Sequence, residues 1–205
     1  MNSARTLHLY SEGKGHYKVL DADKTTLLYH TKKTSGGLFK SKADLEIFRP
    51  DPSVSGKDIR VGSVTHRNLS STLDIEIGNQ HVEFRTVGNS ALPGSHGRAY
   101  ESPRPKVGWV TWEAVGRSAD IMQMMETKSK ENTKVVLAQL EKVSWARSKF
   151  ARLQVYGSPP QDLLDEIVVT VAAMTASGNG KNSNHKHSNS GGALMPGNAG
   201  NGGPV

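Results

Sequence analysis

Hydrophobic and polar residues alternate along most of the first 156 residues of the chain. The clearest case is STLDIEI (71–77), where leucine and isoleucine take every second position and the acidic residues lie between them. GNQ (78–80) has the composition of a turn, and HVEFRT (81–86) then resumes the alternation. Alternation with a period of two on both sides of a short polar turn is typical of a β-hairpin.

Similar short segments recur at fairly regular spacing. Two of them, ADIMQMMET (119–127) and TKVVLAQLEK (133–142), contain good helix formers, but the polar SKEN (129–132) between them favours two strands and a turn. Eleven or twelve strands without intervening helices predict an antiparallel sandwich or barrel. The remaining segments are LHL (7–9), YKVL (17–20), TTLLYHTKK (25–33), ADLEIFR (43–49), DIRVGSVTH (58–66), KVGWVTW (106–112), VSWA (143–146) and FARLQVY (150–156).

One stretch near the end of the chain departs from this pattern. LLDEIVVTVAAM (163–174) is the most apolar part of the sequence. Ser158 and Gln161 have the spacing of a helix capping box, and Pro159 suits the first helical position. The β-branched run inside the stretch is also compatible with a buried strand, and a membrane tail anchor is the third interpretation. Residues 167–176 are too few to span a bilayer, which takes about twenty residues, so we predict a buried helix.

Together these elements predict a mainly β fold: an antiparallel barrel of about twelve strands closed around a C-terminal hydrophobic helix. This order resembles the tubby C-terminal-like superfamily, which includes tubby proteins, phospholipid scramblases and plant LURP-one-related proteins. The likeness to the LURP-one type lies in YKVLDADKTTLLYHTKK (17–33), DLEIFRP (44–50) and DLLDEIVVTVAAM (162–174). It covers residues 5–176, and the chain looks most like small fungal proteins of unknown function with the same arrangement.

The end of the sequence has a different composition. Residues 177–205 are mostly Gly, Asn, Ser and His, with Leu194, Met195 and Val205 as the sizeable apolar residues. Such a segment cannot bury enough apolar surface to offset the entropy lost on ordering, so we predict a disordered tail after one domain at 5–176. MNSARTLHLY (1–10) does not have the pattern of a secretion signal. We therefore expect a cytoplasmic protein, with peripheral membrane association compatible with it.

Charge is distributed unevenly. The chain has 26 basic and 19 acidic residues, a net charge of +7. The tail carries two lysines and no acid, and 157–176 carries three acids and no base, so residues 1–156 hold a surplus of eight positive charges. Such a surplus attracts anionic partners, although scattered basic residues also serve solubility alone. The sequence contains no cysteine, which excludes disulfides, thiolate catalysis and cysteine-bound zinc.

No residue set points to a reaction or a cofactor. GKGHYK (13–18) precedes a strand rather than a helix, unlike a phosphate loop, and His185 with His187 supplies too few ligands for a metal. Resemblance to tubby domains implies binding of phosphoinositides by surface Lys and Arg, so we expect a non-enzymatic domain that binds acidic phospholipid. The alternative is a protein-interaction module or scaffold that uses the barrel surface or the disordered tail, with an acidic protein surface as the partner. Nucleic acid is disfavoured because aromatic and basic residues do not interleave. The candidate headgroup residues are Lys32, Lys33, Lys40, Lys42, Arg98, Arg104 and Lys106.

Overall fold

The fold is known from a computed structural model that describes most of the chain. Within the described residues, twelve β-strands precede one α-helix. The described ranges are 4–13, 16–34, 44–66, 72–88, 97–116, 120–128, 133–143 and 149–178. The elements are β1 (Ala4–Gly13), β2 (His16–Leu20), β3 (Leu27–Lys33), β4 (Leu45–Pro50), β5 (Asp58–His66), β6 (Leu73–Ile77), β7 (Gln80–Val87), β8 (Gly97–Glu101), β9 (Trp109–Ala114), β10 (Ile121–Lys128), β11 (Thr133–Lys142), β12 (Lys149–Tyr156) and α1 (Gln161–Gly178).

The strands form a closed antiparallel barrel. Each strand pairs with its neighbours in the chain, and β1 also pairs with β12, with Ala4 opposite Tyr156 and Leu7 opposite Leu153. Closure gives each of the twelve described strands two partners, which removes the exposed edge at which open sheets aggregate. The barrel predicted from the sequence is therefore confirmed, and so are β10 and β11, the two strands with mixed propensity.

The hairpin of β6 and β7 shows how alternation builds the wall. Leu73, Ile75 and Ile77 are buried, while the acidic residues between them are partly exposed on the other face. The turn is tighter than predicted: β7 starts at Gln80, so Gly78 and Asn79 alone make it. Gly78 has φ +61°, a left-handed conformation that glycine adopts without steric cost.

Helix α1 lies inside the barrel. Most of its apolar residues are buried, and so are Glu166 and Thr170, both with no exposed surface. Side chains from opposite walls reach it: the Tyr29 hydroxyl on β3 donates to Asp165 at 2.7 Å, and the Trp112 indole on β9 donates to the Thr170 hydroxyl at 3.1 Å. Since β3 and β9 are half a turn apart in the twelve-strand order, the helix occupies the centre.

The start of the helix differs from the prediction. The Pro160 carbonyl accepts the first helical hydrogen bond, from the Leu164 amide at 3.1 Å, and α1 begins at Gln161 rather than at Pro159. The Gln161 amide group donates to the Tyr29 hydroxyl at 2.8 Å instead of completing a capping box with Ser158. A contact between Gln161 and the barrel wall has thus taken the place of the local capping box. No helix in the described part of the chain is long and apolar enough to cross a bilayer.

Two predicted segments are not tested. Most of VSWA (143–146) lies outside the described residues, and Val143 follows the end of β11. The tail likewise lies outside the described residues from position 179 onward. Helix α1 extends to Gly178, two residues past the predicted domain boundary at 176.

Close contact between α1 and the wall depends on Gly62 in β5. A Cβ atom added there would lie 2.3 Å from the Glu76 backbone oxygen and 2.6 Å from Cγ2 of Val169 on the helix. Both distances are far shorter than van der Waals contact, and the backbone oxygen cannot rotate away. Gly62 is therefore a point at which strand and helix approach each other too closely for any larger residue.

Gly62→Ala is expected to lower the free energy of unfolding by about 3 kcal/mol, at the upper end for overpacking. Urea denaturation followed by circular dichroism measures this. Gly56→Ala is the control: Gly56 has φ +76° but open space around its Cβ position, so only backbone strain of about 1 kcal/mol is expected. Equal losses in the two variants would show that the contact with Val169 is not tight.

Candidate functional site

The candidate headgroup residues predicted from the sequence do not form one surface. Strand polarity puts Lys32 and Lys33, at the end of β3, and Arg98, at the start of β8, at the same end of the barrel but on distant walls. Arg104 and Lys106 follow β8 and therefore lie at the opposite end. Lys40 and Lys42 lie outside the described residues.

Several of these residues already have partners. Lys32 Nζ lies 3.6 Å from the Asp58 carboxylate and 4.6 Å from the centre of the Phe48 ring. The Arg98 guanidinium lies over the Phe84 ring at 5.8 Å, and burial lowers its pKa. Lys106 is exposed and has φ +65°. The contacts of Lys32 and Arg98 reduce the affinity of these two side chains for a further anion; no such contact is recorded for Lys106.

Arg104 belongs to a buried triad with the helix. Its Nε donates to the fully buried Glu166 carboxylate at 2.5 Å, and the Tyr100 hydroxyl donates to the other oxygen of that carboxylate at 2.7 Å. Burial and the charge of Glu166 raise the pKa of Tyr100 well above its usual value. The Arg104 side chain is only 15% exposed, so its charge is neutralised inside the fold.

A second triad of the same kind holds the adjacent helix residue. The Asp165 carboxylate accepts from the Tyr29 hydroxyl at 2.7 Å and lies 3.4 Å from Nε of Arg49 on β4. Gln161 donates to the same carboxylate at 2.7 Å. Burial and Asp165 raise the pKa of Tyr29 above its usual value. Asp165 and Glu166 therefore anchor α1 to opposite walls of the barrel.

Ion pairs on the outer wall account for part of the basic surplus. Arg60 on β5 pairs with Glu76 at 2.7 Å and with Glu46 at 3.3 Å, so it bridges three neighbouring strands. Lys134 on β11 pairs with Glu113 on β9 at 2.8 Å, across the intervening strand β10. Such exposed cross-strand pairs contribute up to about 1 kcal/mol each and fix strand register. Basic residues in these pairs are poor candidates for ligand binding.

One group of cations on the outer wall outnumbers its acidic neighbours: within the described residues, only Glu141 is recorded near it. His8 on β1 is flanked by the fully buried Leu7 and Leu9, so it faces outward, opposite Arg152 on β12. Lys149 lies further along the same strand pair, opposite Tyr10. Lys24, in the turn between β2 and β3, belongs to the same group because its positive charge lowers the pKa of His8. We call His8, Lys24, Lys149 and Arg152 the His8 cluster.

The His8 cluster contains two polar atoms that lack partners. His8 is only 7% exposed, and its Nδ1 is buried with no hydrogen-bond partner among the described residues. Nε of Arg152 is also buried and has no hydrogen-bond partner among the described residues. The nearest recorded acid is Glu141, whose carboxylate oxygen lies 3.7 Å from this nitrogen. Buried nitrogens normally have a partner. An anion beside them would accept from Nε of Arg152, and from Nδ1 of His8 when that nitrogen carries the proton.

Electrostatics agree with this arrangement. Burial, followed by the charges of Lys149, Lys24 and Arg152, lowers the pKa of His8. Burial also lowers the pKa of Lys149, with Arg152 and Lys24 adding to the effect and Glu141 opposing it. Three cations with one neighbouring carboxylate repel one another. An anion bound among them would remove this repulsion and raise the pKa of His8 again.

Sequence reasoning missed the His8 cluster. Its members lie at the two ends of the folded chain, at positions 8, 24, 149 and 152. They meet only because β1 pairs with β12, with a bulge between Leu9 and Tyr10 that sets the position of Lys149. The predicted closure of the barrel was the one indication in the sequence. It implies that the first and last strands pair, but it does not give the register of that pairing.

The described residues contain no group of three or more side chains suited to hold a metal ion. His185 and His187 lie outside the described residues. Comparison with known protein families, with characterised proteins and with solved structures finds no match to this chain. The interpretation of the site therefore rests on its geometry and charge.

Proposed function

We propose that the protein is a non-enzymatic domain that binds acidic phospholipid at a membrane surface through the His8 cluster. The observation that carries this proposal is the pair of buried nitrogens on His8 and Arg152, which have no hydrogen-bond partner in the part of the chain that the structure describes and lie in a group with three cations. Phosphate oxygens accept hydrogen bonds from such donors, and each basic contact with an anionic membrane surface contributes about 1 kcal/mol.

This proposal retains the function predicted from the sequence and moves its site. The described candidates chosen from the sequence are divided between the two ends of the barrel, whereas the His8 cluster is contiguous on β1, β12 and one turn. Membership of the tubby C-terminal-like superfamily is part of the proposal. It is supported by the closed barrel around a C-terminal helix, which is the arrangement that the resemblance implies. Phosphoinositide is the preferred headgroup on the same basis.

Lys149→Glu is expected to weaken vesicle binding about tenfold or more, because it removes one cation of the His8 cluster and adds a negative charge. Co-sedimentation with phosphatidylcholine vesicles, with and without added phosphoinositide, measures this at low salt. Phosphatidylserine vesicles show whether general negative charge is sufficient. If the unmodified protein does not pellet with any of the anionic vesicles, the proposal is wrong.

Two matched variants make the test specific to the site. Lys106→Glu changes the net charge by the same amount on the loop between β8 and β9, far from β1 in the barrel order, and is expected to bind like the unmodified protein. Glu141→Gln removes the carboxylate that competes for Arg152, so its binding is expected to be several-fold tighter. If Lys149→Glu and Lys106→Glu weaken binding equally, net charge rather than the His8 cluster is responsible.

Protein interaction is a second candidate, favoured by Trp109. This side chain is 49% exposed beside Pro103 and Val82, in an outer groove of about 460 Å³. Tryptophan is among the residue types that most often dominate the energetics of interfaces. If Trp109→Ser abolishes binding of a protein partner and Lys149→Glu does not, the barrel is a protein-interaction module instead.

A further inference from the structure

A cavity opens at the end of the barrel where α1 ends. Its volume is about 530 Å³, within the range of sites that hold one small molecule. Strands β1 to β5, strand β12 and the last turn of the helix contribute to its walls. The His8 cluster is not part of it, so a ligand in this cavity is independent of the proposed function. The lining residues include Ser11, His16, Tyr17, Lys33, Leu45 and Phe150.

Tyr17, one of the residues that line the cavity, carries an unsatisfied hydroxyl within the described residues. Tyr17 is 4% exposed, and its hydroxyl is buried without a hydrogen-bond partner among the described residues. The ring of Phe150 meets the ring of Tyr17 edge to face, with centroids 5.7 Å apart, and Leu45 is 5% exposed on the same cavity wall. A hydroxyl left unpaired in such surroundings costs stability in the free protein, and a ligand oxygen would satisfy it.

The polar part of the cavity carries one cation and two oriented imidazoles. Lys33 forms no ion pair with any described residue, unlike Lys32 beside it. The Nδ1 atom of His16 lies 3.2 Å from the Thr31 carbonyl, and that of His66 lies 3.1 Å from the Asp44 carboxylate. Both acceptors require Nδ1 to donate, which leaves Nε2 of each ring for a ligand.

We infer that this cavity binds a small apolar carboxylic acid. Its carboxylate pairs with Lys33 and accepts from the Tyr17 hydroxyl, and its hydrocarbon part packs on Phe150 and Leu45. The acid among the described lining residues, Asp44, accepts through Oδ2 from the ring and the backbone amide of His66, and no ion pair joins it to Lys33. A carboxylate supplies a charge for Lys33 and the missing acceptor together.

Isothermal titration of the full chain with octanoate tests this inference. One octanoate is expected to bind per chain, and octanol, which lacks the charge, is expected to bind at least tenfold more weakly. Tyr17→Phe is expected to weaken octanoate binding about tenfold without lowering the melting temperature, because the hydroxyl it removes has no partner in the free protein within the described residues. Lys33→Ala is expected to weaken binding by a similar factor.

Lys32→Ala is the matched control, since Lys32 is adjacent in sequence but pairs with Asp58 outside the cavity. It is expected to bind octanoate like the unmodified protein. The inference is overturned if octanoate does not bind, or if Tyr17→Phe and Lys33→Ala bind it as tightly as Lys32→Ala does. Equal affinity for octanol and octanoate overturns the assignment of a carboxylate. Circular dichroism of each variant distinguishes lost binding from lost folding.

Discussion

A chain cut after Pro160 is expected to remain unfolded at room temperature. The cut removes α1, and with it Leu163, Leu164, Ile167, Val169 and other side chains that are buried in the barrel. Full burial of one such side chain contributes about 1.5–3 kcal/mol, so the helix accounts for on the order of 10 kcal/mol. Domains of this size are stable by about 5–15 kcal/mol in total. The barrel without its helix would also enclose an apolar space that nothing fills.

Circular dichroism and the amide dispersion of an NMR spectrum measure the result. A chain cut after Gly178 is the control; it keeps every described residue and is expected to fold with unchanged stability. Adding a synthetic peptide of residues 161–178 to the shorter chain provides a further check, because restored dispersion would assign the loss to the helix. A shorter chain that folds by itself would show that the barrel does not need α1, and the central role of the helix would be wrong.

Arg104→Ala is expected to destabilise the protein by about 3–5 kcal/mol, the second-largest effect, because a buried charge that loses its counter-ion is poorly solvated by the protein interior. The substitution leaves the Glu166 carboxylate fully buried, with the Tyr100 hydroxyl still donating to one of its oxygens and the other oxygen deprived of the Arg104 donor. Urea denaturation at neutral pH measures the loss.

The second triad provides the control for Arg104→Ala. Arg49→Ala removes the same group, but Asp165 is 15% exposed and its Nε–Oδ2 distance is 3.4 Å, so a loss of only about 1 kcal/mol is expected. The triple variant Arg104→Met, Glu166→Leu, Tyr100→Phe removes all the polar groups of the first triad. It is expected to recover most of the free energy of unfolding that Arg104→Ala loses. If Arg104→Ala costs no more than Arg49→Ala, the difference in burial between the triads does not govern their strength.

The sequence predicted the elements of the fold better than the contacts between them. Alternation in STLDIEI and HVEFRT predicted β6 and β7, because period two follows directly from one buried face. The predicted helix start was wrong by two residues because Gln161 and Asp165 bind Tyr29, which lies more than 130 residues away. A local capping rule does not include such a partner.

The candidate site was less predictable than the fold. In the sequence, Arg104 has the character of a surface cation in a loop rich in Gly, Pro and Ser, and its pairing with Glu166 depends on how the helix is rotated inside the barrel. His8 is one polar position among alternating residues, and its cationic neighbours come from β12 and a turn. Charge counts along the chain give the surplus but not which cations share a face. Register and helix rotation decide that, and both are set by packing.

Pairing of β1 with β12 has a consequence for how the protein is made. During synthesis, β1 leaves the ribosome before the other strands of the barrel and stays without one of its two partners until Tyr156 has been added. At ordinary elongation rates this wait lasts on the order of 10 s. Throughout it, the apolar inner face of the growing sheet lacks α1, which is synthesised later still. The nascent chain thus exposes both a strand edge and an uncovered apolar surface, the features that chaperones bind.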